Sequence, residues 1–193
     1  MEEVFEWYKE LNSKIKVAIK VFLFIGIIGI GTMLFMKIFY SPMLINGNSM
    51  NPSLSNGDIV FIHKSAYKNE DPERFDLVAF KYRYDYSQKY IKRVIALPGE
   101  SIYIANNVIY IKGQGEEDYH VLNEYYGLYD GNPQFTDINP VTLGKDEYFV
   151  LGDNRYDSDD SRSSVGLVKK KTIIGKAVFR LFPFKGIGSL KYQ

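Results

Sequence analysis

The sequence predicts a mainly antiparallel β domain behind one N-terminal transmembrane helix, and three observations carry that prediction. Residues 17–36 read VAIKVFLFIGIIGIGTMLFM, an apolar run broken only by Lys20. Beyond it the pattern changes to alternation with period two and short apolar runs, the spacing of strands. With 16 Tyr and 13 Phe, the chain is also rich in residues that suit pleated sheets.

The apolar run comes first. Roughly 20 residues at 1.5 Å rise cover a hydrocarbon core of ~30 Å. Lys20 lies close enough to its start to snorkel toward headgroups. Trp7 and Tyr8 precede the run, and Phe39 and Tyr40 follow it, as interfacial aromatics do. A cleaved signal peptide would have a shorter apolar core and then a small-x-small site, whereas KIFYSPM follows here. Lys9, Lys14, Lys16 and Lys20 flank the start and Lys37 stands alone past the end, which predicts the N-terminus inside. The expected organisation is a cytoplasmic tail over 1–16, an anchor over 17–37 and an extracytoplasmic domain over 38–193. That is a single-pass protein of the cell membrane.

The strands of the outer domain follow in order. DIVFIHK (58–64), FDLVAFKY (75–82) and YIKRVIAL (90–97) read as strands, and SIYIANNVIYIKG (101–113) as a hairpin turning at Asn106-Asn107. EYFVLG (147–152) and IIGKAVFRLF (173–182) complete the set. Residues 114–145 are polar and rich in Gly, Asp and Tyr, and read as an insertion or long loop.

Composition removes several function classes. Lys+Arg 24 against Asp+Glu 23 leaves a net charge of +1, without the basic surplus that nucleic acid would call for. There is no cysteine, and the two histidines cannot by themselves complete a zinc site of the usual kind. Neither a metal nor a cofactor is expected. The available nucleophiles are then serine and threonine, which need an adjacent base.

Two kinds of base are present. His63 and His120 would serve a Ser-His-Asp arrangement, although His63 also reads as a half-buried strand residue. The alternative is a lysine neutralised by burial. Strand alternation in KYIKRVIALPG puts Tyr90, Lys92, Val94 and Ala96 on one face and Ile91, Arg93, Ile95 and Leu97 on the other. Both faces are apolar, so Lys92 sits in a buried strand, or else its head escapes to solvent from an edge. A third cluster, GDNRYDSDDSR (152–162), reads as a solvated acidic loop, a weak calcium loop, or a loop braced by arginine–aspartate pairs.

Together these stretches resemble the bacterial type I signal peptidases, membrane-bound Ser-Lys proteases, and the Gram-positive members in particular. GNSMNPSL resembles the nucleophile box, with Ser49 in the nucleophile position and Ser53 supporting the turn. GDIVFIHK resembles the strand box that follows, and YIKRVIALPGE the general-base box, with the base at Lys92 and its charged neighbour at Arg93. GDNRYDSDDSR resembles the last box, which implies that Ser158 hydrogen-bonds the lysine while Asp153, Arg155, Asp160 and Arg162 shape the site.

The resemblance further implies a compact signal-peptidase-like β fold and a serine endopeptidase that removes N-terminal signal peptides after small-x-small sites. Ile45, Met50 and Leu54 would line its pockets, or else pack in the core. Gly47 stands where some relatives carry a serine that assists the oxyanion hole, so that duty would pass to backbone N–H, chiefly that of Ser49. The implied partners are precursors carrying signal peptides, the lipid bilayer and the protein-export machinery. A membrane-anchored scaffold without activity would share the fold but need neither Ser49 nor Lys92. A self-cleaving repressor-type Ser-Lys protease would share the dyad but lack the anchor.

Overall fold

The structure is a computed structural model that describes residues 12–124 and 137–190. It divides into two units, residues 1–39 and residues 40–193. The first unit contains α1 (Ser13–Phe39), of which the 25 residues Ile15–Phe39 are long and apolar enough to cross a membrane. Its large apolar side chains are exposed along its length, with Phe22, Ile27 and Met33 each about 70% exposed or more. A helix apolar on every side has no polar face to turn to water, and this composition suggests a membrane anchor. Thr32 is accommodated because its hydroxyl donates to the Ile28 carbonyl at 2.9 Å. The helix begins before Val17 and takes in Phe39, which the sequence pattern had left beyond the span. Trp7, Tyr8 and Lys9 lie outside the described residues.

The second unit is built from antiparallel strands in two sheets. The larger sheet has the order β1 (Tyr40–Leu44), β2 (Ile59–His63), β11 (Ile173–Phe182), β3 (Leu77–Tyr82), β4 (Asp85–Ala96), β9 (Glu147–Leu151), β10 (Val168–Lys169), with β12 (Gly188–Ser189) paired to β11. The smaller has the order β7 (His120–Val121), β6 (Val108–Lys112), β5 (Ser101–Ala105), β8 (Ile138–Thr142). The smaller sheet shows the clearest period two. Ile102, Ile104, Ile109 and Ile111 are buried, while Tyr103 and Tyr110 stack on the opposite face at 4.5 Å between ring centroids.

Besides the two-residue strands β7, β10 and β12, the sequence pattern missed β1 and β8, and both for one reason. β1 contains Pro42 and β8 contains Pro140, and proline within a run argues against a strand. Both strands are sheet edges, where one side needs no backbone donors, and both prolines are exposed. Residues 114–145 are therefore not simply a loop on the scaffold: β8 pairs with β5, and Leu143 is buried in the core beside it.

The expected alternation in β4 holds only to Val94. Tyr90 and Val94 pack in one cluster with Val78 and Phe80. A register shift against β9 between Val94 and Ala96 then sends both Ile95 and Ala96 into the cluster beneath the small sheet. Leu97 consequently returns to the Val94 cluster, opposite to its assignment by strict period two. Ile91, on the Arg93 face, joins Ile45, Met50, Leu54 and Val60 in a further cluster.

The β5–β6 turn gives a test of the fold. Asn106 and Asn107 have φ of 50° and 65°, the doubly left-handed backbone of a two-residue type I′ turn. Replacing both by alanine should cost about 2 kcal/mol in chemical denaturation, since a side chain lacking a local hydrogen-bonding group is disfavoured there by roughly 1 kcal/mol or more per residue. Asn107→Gly should be neutral or slightly stabilising, and a destabilising Gly would refute the turn geometry.

Candidate active site

Ser49 lies in the turn that follows β1. The base of this turn is closed by Ile45 N–H to the Asp58 carbonyl at 2.8 Å and Gly57 N–H to the Ile45 carbonyl at 2.9 Å. Leu54 N–H donates to the Met50 carbonyl at 2.8 Å, giving one helical turn, and Met50 and Leu54 drive it into the core at 2% and 0% exposure. Gly47 takes a φ of +96°, which a side chain would resist, and its N–H donates to Asn56 Oδ1 at 2.9 Å. Arg180 pairs with Asp58 and donates to the Ser53 carbonyl, holding the far side of the turn. The hydroxyl of Ser49 therefore projects from a backbone fixed at several points.

Lys92 comes from β4, an inner strand, directly opposite Val78 of β3. Its Nζ is 2.6 Å from Ser49 Oγ, with the amine donating when protonated. The residue is 3% exposed. Burial is the main influence on its pKa and lowers it from 10.5 to about 8. Asp160, Asp159 and Asp153 oppose the fall by favouring the ammonium, and Arg162 adds to it by repulsion. At pH 7 roughly a tenth of the molecules then carry a neutral amine, against fewer than one in a thousand for a free lysine.

Arg93, the next residue, points the other way and is 1% exposed. Its guanidinium makes a bidentate pair with Asp153, Nε to Oδ1 at 2.8 Å and Nη2 to Oδ2 at 2.6 Å. Nη1 donates to the Phe75 carbonyl at 3.0 Å and Nη2 to Ser53 Oγ at 3.1 Å. One side chain thus joins the serine turn, the approach to β3 and the start of the 152–162 loop. Ser53 has the supporting place expected of it.

The 152–162 loop is braced by its own charges. Asp160 accepts from Gly152 N–H at 3.0 Å and from Arg162 Nε and Nη2, each at 2.8 Å. Arg162 Nη1 donates to the Arg155 carbonyl, and Arg155 Nε to the Gly152 carbonyl, both at 2.8 Å. Asp159 is held by the Ser163 and Ser164 hydroxyls at 2.5 and 2.6 Å. Asp153 and Asp159 are thus committed to different donors, which favours the braced loop over the calcium loop.

Several expectations change here. Ser158 does not hydrogen-bond Lys92: its Oγ is buried with no partner among the described residues and lies against Gly152. Leu54 is fully buried in the core and does not line the cleft at Ser49, whereas Ile45 and Met50 do. His63 stacks on Tyr40 at 5.0 Å and contacts Ser65 Oγ at 3.0 Å, not Ser49. His120 is exposed beside Glu116.

Three residues were missed. Asn154 donates its N–H to the Ser49 carbonyl at 3.0 Å and its amide to the Asn48 carbonyl at 3.2 Å. Glu124 forms the bidentate partner of Arg155, at 2.8 and 2.5 Å. A Cβ on Gly152 would collide with both the Ser49 carbonyl and Ser158 Oγ, so only glycine lets the loop approach the serine turn this closely. The glycine and asparagine open the GDNR segment and were legible there as backbone-shaping residues. Glu124 gave no local signal.

Ser49 and Lys92 open onto a cleft of about 440 Å³. One wall is Met43, Leu44, Ile45 and Met50, and the other is the stretch of β4 from Ser87 to Ile91. A cleft with one largely apolar wall that ends at a hydroxyl and a perturbed amine has the layout of a hydrolase site.

Residues 15–182 match the family model described as signal peptidase, peptidase S26. The chain belongs to that family, a family of serine peptidases, and is a hydrolase. It is 35% identical over 153 residues to a Signal peptidase I of Bacillus amyloliquefaciens, covering 79% of this chain and 81% of the relative. It is 35% identical over 147 residues to Signal peptidase I S of Bacillus subtilis (strain 168), covering 75% and 78%. A crystal structure of a signal peptidase I from Enterococcus faecalis V583 is 32% identical, covers 55% of this chain and 97% of that one, and gives a TM-score of 0.45.

The buried lysine has a measurable effect on stability. The drop from 10.5 to about 8 corresponds to roughly 3 kcal/mol against the charged folded state. Below pH 8 the lysine is charged in both states and the folded protein bears the full penalty. Between pH 8 and 10.5 only the unfolded chain still holds the proton, so stability rises with pH. Lys92→Met should therefore be about 2 kcal/mol more stable than wild type at pH 7, after allowing for the lost hydrogen bond. The difference should shrink as pH passes 8, and one that stays constant up to pH 10 in denaturant titrations would contradict the assignment.

The Arg93–Asp153 pair should behave oppositely. Asp153→Ala leaves a buried guanidinium without its carboxylate and should cost roughly 3–5 kcal/mol. A loss below 1 kcal/mol would mean that Arg93 finds solvent or another acceptor.

Proposed function

We propose that the chain removes signal peptides from precursor proteins by a Ser49–Lys92 dyad, cutting after small-x-small sites. The observation that carries the reading is the 2.6 Å contact between Ser49 Oγ and a lysine whose pKa burial lowers to about 8. The neutral Lys92 amine takes the Ser49 proton as Oγ attacks the carbonyl carbon before the cut. The resulting oxyanion is met by the Ser49 N–H, since Gly47 has no side chain to offer. The Lys92 ammonium then protonates the departing amine, which leaves as the new N-terminus. A water molecule, deprotonated by Lys92, attacks the acyl ester and frees Ser49.

Asp153, Arg155, Asp160 and Arg162 act through backbone placement, and Arg93 joins that frame to the serine turn. The substrate lies extended in the cleft and pairs with strand edges. Ile45 and Met50 shape the shallow pockets that accept small side chains. The apolar helix anchors the protein in the bilayer with its N-terminus inside and the catalytic domain outside. The lysine asymmetry around the helix supports this orientation. The precursors, the bilayer and the export machinery are the partners.

The pH profile of kcat/KM on a precursor with an Ala-x-Ala site tests the dyad. The active amine is neutral, so activity should fall about tenfold per pH unit below an acidic limb near 8. Ser49→Ala should lose processing while remaining folded. Lys92→Arg should be equally inactive, because a guanidinium stays charged. His63→Ala should keep its activity. An active Lys92→Arg, or a limb that follows His63, would overturn the mechanism.

A further inference from the structure

The cleft continues past the dyad along β4, and its far end is charged. Lys89 lines it and is exposed. Across the β3–β4 ladder it stands directly opposite Lys81, so two ammonium groups share one face on neighbouring strands. Like charges placed this way destabilise a sheet. Neither lysine has a described carboxylate within ion-pair distance. The nearest acid on the hairpin, Asp85, is occupied: Oδ1 accepts from the Ser87 N–H and hydroxyl at 2.9 and 2.6 Å, and Oδ2 from Gln88 Nε2 at 3.1 Å. Asp85 shapes the hairpin end and leaves the Lys89 charge unneutralised.

The position of that charge relative to the chemistry follows from strand geometry. Lys89 precedes Lys92 by three residues, roughly 10 Å at ~3.3 Å per residue. An extended substrate advances at the same rise. If the residue before the cut sits at the dyad and the substrate runs in the same direction as β4, Lys89 faces a side chain about three residues further toward the substrate's N-terminus, along the wall formed by Ile45 and Met50. We infer that Lys89, reinforced by Lys81, forms a polar subsite that selects an acidic side chain at the fourth or fifth residue before the cut. This rests on the peptidase reading above and adds a charge preference to it.

The experiment compares three otherwise identical Ala-x-Ala precursors carrying Glu, Gln or Lys at the fourth and fifth positions before the cut. The readout is the ratio of kcat/KM for Glu over Lys within each enzyme, so each enzyme is its own reference. Wild type should favour Glu by roughly 3- to 10-fold, the scale of an exposed pair gained and a repulsion avoided. The preference should fall toward unity near 0.5 M salt, where screening is short-ranged. Lys89→Gln should flatten the ratio and Lys89→Glu should invert it. The salt dependence of wild type tests the charge without any substitution.

A wild-type preference that Lys89→Glu leaves unchanged would overturn the subsite, as would the absence of any wild-type preference. In both cases cleavage itself would leave the peptidase reading standing. A wild type that cleaves none of the three precursors overturns that reading, and the subsite with it.

Discussion

The catalytic domain depends on one buried ion pair, Arg93 with Asp153. Both side chains are almost wholly removed from water, at 2% and 0% exposure. A charge pair in such a place is costly to desolvate and is tolerable only when nearly every donor and acceptor is met. Here Arg93 satisfies that condition by reaching three separate chain segments: Asp153, the Phe75 carbonyl and Ser53 Oγ. Those segments are distant in sequence and have no strand pairing of their own at this point. Removing the pair would leave the serine turn held by its core residues Met50 and Leu54 and tied to the other segments through Asn154 and Arg180.

The same dry interior acts on Lys92 in the opposite way. Among the described residues Lys92 has no carboxylate at hydrogen-bond distance, only the Ser49 hydroxyl. Its ammonium is therefore under-compensated, and burial lowers its pKa to about 8. Had Asp159 or Asp160 been free to approach it, the lysine would have stayed charged. Both are instead held elsewhere, Asp159 by two serine hydroxyls and Asp160 by Arg162 and the Gly152 N–H. Arg162 and the two loop serines thus also keep these carboxylates from pairing with the ammonium.

Much of this frame was legible in the sequence, and what was not has a physical cause. The hairpin at Asn106-Asn107 is local, and its turn chemistry states its geometry. A lysine inside an apolar strand is conspicuous because its burial is costly, so Lys92 stood out for the reason that lowers its pKa. β1 and β8 were hidden by their prolines, which only sheet edges accommodate. The bulge near Val94 was hidden because a single extra residue leaves no compositional mark. The Arg155–Glu124 pair joins residues 31 apart, and Glu124 lies in a polar stretch with no periodicity, so only the folded chain brings them together. Ser158 was placed by resemblance alone, and its hydroxyl instead packs against Gly152.

Lys92 and Arg93 are adjacent basic residues with opposite roles, and a strand is the element that can give them both. Successive side chains of a strand leave by opposite faces, so one peptide unit separates two environments. On a helix, neighbours diverge by only about 100° and would share more of their surroundings. The division also matches the chemistry of the two groups. Guanidinium keeps its charge under burial and has a fork of donors that can bridge several segments, which suits it to the structural face. An amine has fewer donors and releases a proton when they are not met, which suits it to the serine. Exchanging the two residues would put a permanent cation against Ser49 and a single ammonium where three segments need to be joined. The order Lys-Arg along this strand thus follows from which face meets Ser49 and which meets Asp153.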